Sequence, residues 1–127
     1  KHESRWQRGN GMMLDLARDL IAEEMASFGA ARRASDRLAA WRALERAHIV
    51  AQPYFGLHLA SHWTMLSYAL RERDFKEAGG QCLRLALVPL GAITGRLPTG
   101  NTGRSNVSAF RPMPIPQDLL ARMDDQS

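Results

Sequence analysis

The sequence predicts an all-α protein: a four-helix up-down bundle, then an extended Gly/Pro-rich C-terminal arm and a short last helix. Three observations predict it. Apolar residues recur at steps of three and four through residues 11–94, which is the helical period. The gaps between periodic stretches carry stop and start chemistry, such as Ser35-Asp36 and Pro53, residue types that cap or end helices. Beyond Gly95 the periodicity gives way to Gly-Arg-Leu-Pro-Thr-Gly-Asn-Thr-Gly-Arg and then Arg-Pro-Met-Pro-Ile-Pro, the composition of turns and extended chain. The expected division is a frayed N-terminus over 1–10, the helical bundle over 11–94, and the arm with its terminal helix over 95–127. A chain of 127 residues is long enough for one core.

The first helix is expected over 11–28, with Leu14, Ala17, Ile21, Met25 and Phe28 as its apolar stripe and Gly29 as its stop. The second is expected over 33–52. Ser35 or Asp36 would cap it, Leu38, Trp41, Leu44 and Ile49 would face inward, and Pro53 would end it. The third, over 54–73, is apolar nearly all round and is therefore expected to be buried on several sides. The fourth, over 75–94, contains Gly79-Gly80 and Pro89. An interior glycine costs about 1 kcal/mol and a proline about 3, so a kink or a break near Pro89 and the close approach of another helix at the two glycines are expected. In the arm, Val107, Phe110, Met113 and Ile115 are expected to lie on the bundle or on a partner. A short helix follows over 117–123.

Composition narrows the function classes. The net charge is +4, and the arginines alternate with acids as in Arg71-Glu72-Arg73-Asp74. That argues for a solvated face and against nucleic acid. No stretch reaches the roughly 18 uninterrupted apolar residues of a membrane span. The one cysteine cannot form an internal disulfide and fits a reducing, cytoplasmic setting. No secretory signal is expected; the chain opens on Lys1 rather than Met, so native residues are expected to precede it.

The chemistry concentrates between Trp41 and Met65, which holds three of the four histidines. Glu45 and His48 share one helical face with Gln52; His58, His62 and Met65 share a face of the next helix. In a hairpin folded about Pro53, His48 lies five residues before the turn and His58 five after it, Glu45 eight before and His62 nine after. At about 1.5 Å of rise per residue, the four side chains fall within one turn of each other. Glu-x-x-His facing His-x-x-x-His suits one divalent metal ion, zinc, iron or manganese before copper. Glu-x-x-His is also half of a di-iron pattern, but the acid of the first helix, Glu24, levels with Asp36 far from the site, so a single metal is expected. The competing expectation is a set of core histidines satisfied by Glu45, Gln52 and nearby hydroxyls.

Other residues carry weaker expectations. Cys82 is expected on the inward face of the fourth helix as a small buried hydrophobe, with a copper(I) site of His62, Met65 and Cys82 as its functional counterpart. Glu77, Gln81 and Arg84 are expected on a solvated or inter-subunit face. Trp41 and Trp63 are expected in the core. Arg96 and Arg104 would fix the arm by hydrogen bonds or hold an anion, since the glycine-rich stretch lacks the ending of a phosphate loop.

Three separated motifs, Leu-Glu-Arg-Ala-His-Ile-Val-Ala-Gln (44–52), His-Leu-Ala-Ser-His-Trp-Thr-Met-Leu (58–66) and Gly-Arg-Leu-Pro-Thr-Gly-Asn-Thr-Gly-Arg-Ser-Asn-Val-Ser (95–108), together resemble a small bacterial family catalogued as domain of unknown function 3703. The resemblance covers about residues 30–118. It implies Glu45, His48, His58, His62 and the Gly-Asn-Thr-Gly turn as family features, and no activity. The function expected from the residues is therefore a metal-binding helical bundle with a mononuclear Glu/His site, either a metal-dependent enzyme acting on a small molecule or a metal-homeostasis accessory protein. The alternative is a non-catalytic interaction module, with a partner or a second copy under the arm and the histidines as a structural polar network.

Overall fold

The computed structural model describes residues 5–94, 102–105 and 112–123, with side chains described from Gly11 onward. Arg96, Val107 and Phe110 lie outside the described residues. The described chain is all-helical, with five helices and no strand: α1 (Arg5–Arg33), α2 (Arg37–Ala51), α3 (Phe55–Arg71), α4 (Phe75–Thr94) and α5 (Gln117–Met123). In bundle-like packing, α1 lies against α2, α2 against α3, and α3 against α4.

The same turn joins α1 to α2 and α3 to α4. Ser35 and Arg73 both adopt left-handed backbone, with φ of 56° and 57°. After the first, Asp36 N donates to Ala31 O at 2.9 Å; after the second, Asp74 N donates to Ala69 O at 2.9 Å. These are the six-to-one bonds that close a helix whose end carries a left-handed residue. Each aspartate then starts the next helix, Asp36 Oδ1 accepting from Ala39 N and Asp74 Oδ1 from Glu77 N, both at 3.1 Å. The glycine stop expected at Gly29 is not used. α1 runs through it to Arg33, because Ser35 supplies the left-handed residue instead.

The core has two apolar clusters. One joins Phe28, Trp41, Leu44, Met65 and Tyr68, with the Tyr68 ring 5.1 Å from Phe28 and 5.2 Å from Trp41. The other joins Ala17, Leu20, Ile49, Val50 and Leu119, so α5 closes the far end of α1 and α2. Arg46 holds that end: it donates to Glu24 Oε2 of α1 at 3.0 Å and with both terminal nitrogens to Asp118 of α5.

Several expected inward faces are rotated outward. Leu38 is 73% exposed and Trp63 63%. Cys82 is exposed as well, which removes it as a core residue and as a partner of His62. On α4 the exposed large apolar residues are Phe75, Leu83, Leu90 and Ile93, whereas Glu77, Gln81 and Arg84 are buried. The helix is turned half round from the phase its hydrophobic residues suggest, and the reason lies in what those polar residues hold. No helix among the described residues is long and apolar enough to cross a membrane.

Candidate metal centre

Pro53 interrupts the helical run, and Tyr54 O accepts from His58 N at 2.7 Å to start α3. That turn brings His48 of α2 level with His58 and His62 of α3. All three are buried, at 1–2% exposure. Their Nε2 atoms form a nearly equilateral triangle: 3.0 Å from His48 to His58, 3.1 Å from His48 to His62 and 3.2 Å from His62 to His58. The ring centroids are 4.6–4.9 Å apart, so the rings converge and aim their Nε2 atoms at a common centre.

That triangle has the dimensions of a three-nitrogen metal site. Its edge of about 3.1 Å puts each nitrogen about 1.8 Å from the centre, within reach of the usual metal–nitrogen bond of about 2.05 Å, so His48, His58 and His62 would together hold one ion. Among the described residues these three histidines are the group of possible ligands within 4.8 Å of one another.

Hydrogen bonding fixes the protons on His62. The Gln81 amide nitrogen lies 2.8 Å from Glu77 Oε2 and 2.8 Å from Gly103 O. Both are acceptors, so the Gln81 oxygen is the atom 2.7 Å from His62 Nδ1. An amide oxygen only accepts. His62 therefore carries its proton on Nδ1 and, when neutral, presents a bare lone pair at Nε2. Three short contacts among neutral Nε2 atoms cannot then all be hydrogen bonds, since with no proton on His62 at most two can be satisfied. A cation at the centre would take all three lone pairs.

Burial favours the neutral rings. It pushes the His58 imidazole down to about 4, with the neighbouring His62 adding to the effect. It also lowers His62, against the bond from Gln81. Among the described residues, His58 Nδ1, Gln52 Oε1 and Trp41 Nε1 are buried without a hydrogen-bond partner.

The fourth expected ligand stands apart. Glu45, one turn before His48, is half-buried and is not in the cluster of converging ligand atoms. Burial raises its carboxyl above the ordinary range, opposed by Arg104 and Arg42 and reinforced by Glu77. Of the four side chains expected to meet, the three histidines converge and Glu45 lies outside their cluster.

Sequence reasoning missed the residues that surround this cluster. Glu77, 4% exposed, accepts from the Gln81 amide, from Arg104 Nε at 2.8 Å and from Ser105 N at 3.0 Å. Burial alone would raise its carboxyl, but these donors hold it below the usual range. Arg84 donates to Arg104 O at 3.0 Å, and the Arg104 guanidinium lies 3.9 Å from the centre of the Trp41 ring. The arm segment 102–105 is thereby fastened over α4, as the expectation of arginine hydrogen bonds for Arg104 had it. Ser105 fills the space beside Gly80: a Cβ there would lie 2.1 Å from Ser105 Cβ. The helix expected to approach the glycine pair is thus replaced by the arm at Gly80, and nothing lies within 4 Å of a Cβ at Gly79. Gly103 packs against the His48 ring, with no room for a Cβ between them. The available signal was the pair of acid and amide at 77 and 81, one turn apart, facing away from the apolar residues of the same helix.

No curated protein and no solved structure matches the chain. The profile of the family described as Protein of unknown function (DUF3703) matches residues 15–123, and the chain belongs to that family.

Proposed function

We propose that the protein binds one divalent metal ion through His48, His58 and His62, with zinc, iron or manganese favoured over copper. The observation that carries this reading is the Nε2 triangle with edges of 3.0–3.2 Å, in which His62 has no proton to offer. Imidazole nitrogens suit zinc and iron alike. Three protein ligands with a remaining position for water or substrate is the pattern of catalytic rather than structural zinc, which favours a metal-dependent enzyme over a closed structural site. In this reading Glu45 is not a ligand. Its raised carboxyl makes it the candidate general base beside a metal-bound water.

The test is elemental analysis of protein purified without a nickel column, together with zinc titration. The expected result is about one equivalent of metal per chain and loss of binding in a His58→Ala/His62→Ala double mutant. Less than about 0.1 equivalent of any metal, with the double mutant unchanged in zinc affinity, would sink the reading in favour of a structural polar network.

A further inference from the structure

We infer that Gln81 and Glu77 are positioning residues for the metal site: they touch no metal, yet Gln81 sets the protonation pattern of His62 and Glu77 sets the orientation of Gln81. The inference rests on the metal-binding reading above and deepens it.

The argument runs along one chain of bonds. The Glu77 carboxylate is an obligate acceptor when ionised, and three donors surround it: Arg104 Nε, Ser105 N and the Gln81 amide. Its Oε2 lies 2.8 Å from the Gln81 nitrogen, so that nitrogen cannot turn toward His62 without losing a charge-assisted bond. Gly103 O holds the same nitrogen from the arm at 2.8 Å. Two acceptors thus lock the amide in one of its two orientations. The locked orientation places its oxygen 2.7 Å from His62 Nδ1. The reverse orientation would direct N–H groups at His62 Nδ1, favour the tautomer protonated at Nε2, and remove the lone pair from the triangle.

Burial makes this device selective. Gln81 is 0% exposed and Glu77 4%, so bulk water does not compete for their bonds. A solvent-facing glutamine would flip freely and carry no such information. A buried amide and carboxylate on the polar side of α4, while Leu83, Leu90 and Ile93 face solvent, are explained by the ring nitrogen they serve. Outer partners of this kind change metal affinity by about 10–100-fold when removed.

The test compares wild type, Gln81→Met and Glu77→Gln, using cobalt(II) as the metal probe and ¹⁵N shifts of the His62 ring in metal-free protein. Wild type is expected to show His62 protonated at Nδ1. Gln81→Met, of similar length without the amide, is expected to lose that preference, to bind cobalt(II) about 10–100-fold more weakly, and to alter its visible absorption bands. Glu77→Gln, which keeps the shape but not the charge, is expected to show a smaller change in the same direction and serves if Gln81→Met does not fold. If wild type binds cobalt(II) and both variants bind within twofold with the same bands, the inference is overturned while the metal reading stands. If wild type binds no cobalt(II), the metal reading falls; a His62 protonated at Nε2 in wild type would overturn the positioning role by itself.

Discussion

Replacing Gly103 by alanine should weaken metal binding although Gly103 contributes no side chain to the site. Its φ is +83°, a region that costs an L-residue with a side chain about 1–2 kcal/mol. An added Cβ would lie 2.7, 2.8 and 2.9 Å from Cδ2, Cγ and Nε2 of His48. Carbon atoms rest at about 3.5 Å or more, so ring and backbone must separate by about 0.8 Å. A productive site tolerates displacements of only about 0.5 Å. Moving His48 alters two of the three edges of the nitrogen triangle; lifting the arm instead removes Gly103 O from the Gln81 amide. Either response loosens the ligands. The expected loss of zinc affinity is about 10–100-fold, read by competition with a chromophoric chelator. The metal-free melting temperature should also fall by about 5 °C. Gly79→Ala is the control, since nothing lies within 4 Å of a Cβ there. Alanine in a helix interior gains about 1 kcal/mol over glycine, so that variant should melt higher and bind zinc as wild type does. Unchanged zinc affinity in Gly103→Ala would refute the idea that the arm and the metal site form one unit.

Zinc at about 100 times its dissociation constant should stabilise the protein by about 2.7 kcal/mol, or about 10 °C in melting temperature for a chain of this size; scanning fluorimetry of His58→Ala/His62→Ala should show no such rise. For pH, the His58 ring titrates at about 4 in the folded protein against an ordinary 6.5. The unfolded chain therefore binds more protons between those values, and this group's contribution to stability falls as pH drops from about 6.5 to 4. Glu77, held low, adds to the loss at the acid end, and Glu45, held high, opposes it. Urea denaturation of metal-free protein at pH 7, 5.5 and 4.5 should show a falling midpoint, and a midpoint rising toward acid would contradict the burial of His58. Arg46→Met should destabilise by about 2 kcal/mol, because it strands the buried Glu24 carboxylate. Adding Glu24→Gln should recover part of that loss in the same urea assay.

The parts of this fold that obey local rules were legible in the sequence. The bounds of α4 and α5, the N-cap at Asp36 and the levelling of His48, His58 and His62 about Pro53 follow from helical rise, capping chemistry and proline. The phase of α4 did not follow. Apolar periodicity points Leu83, Leu90 and Ile93 inward, and they face out, because a long-range network outweighs the local pattern. Glu77, Gln81 and Arg84 are buried to bind partners at His62 and at 103–105, about 20 or more residues away along the chain, and no spacing within the helix encodes that. Glu45 fits the spacing argument, yet it stands outside the cluster. Sharing a helical face with His48 fixes its height but not the rotation that would carry its carboxylate to the Nε2 triangle.

The two ends of the arm are both anchored. Thr94 closes α4, and α5 is tied to α1 and α2 through Asp118 with Arg46 and through Arg122 with Glu23. If the bonds at Glu77 let go, the segment at 103 still cannot leave. Nine peptide units from Thr94, at no more than about 3.6 Å each, confine it within roughly 32 Å of α4. One copy in a sphere of that radius corresponds to a local concentration on the order of 10 mM. Release and return of the arm is therefore a first-order process, independent of protein concentration, and a separate peptide carrying the 102–105 sequence would have to be supplied at millimolar levels to take its place.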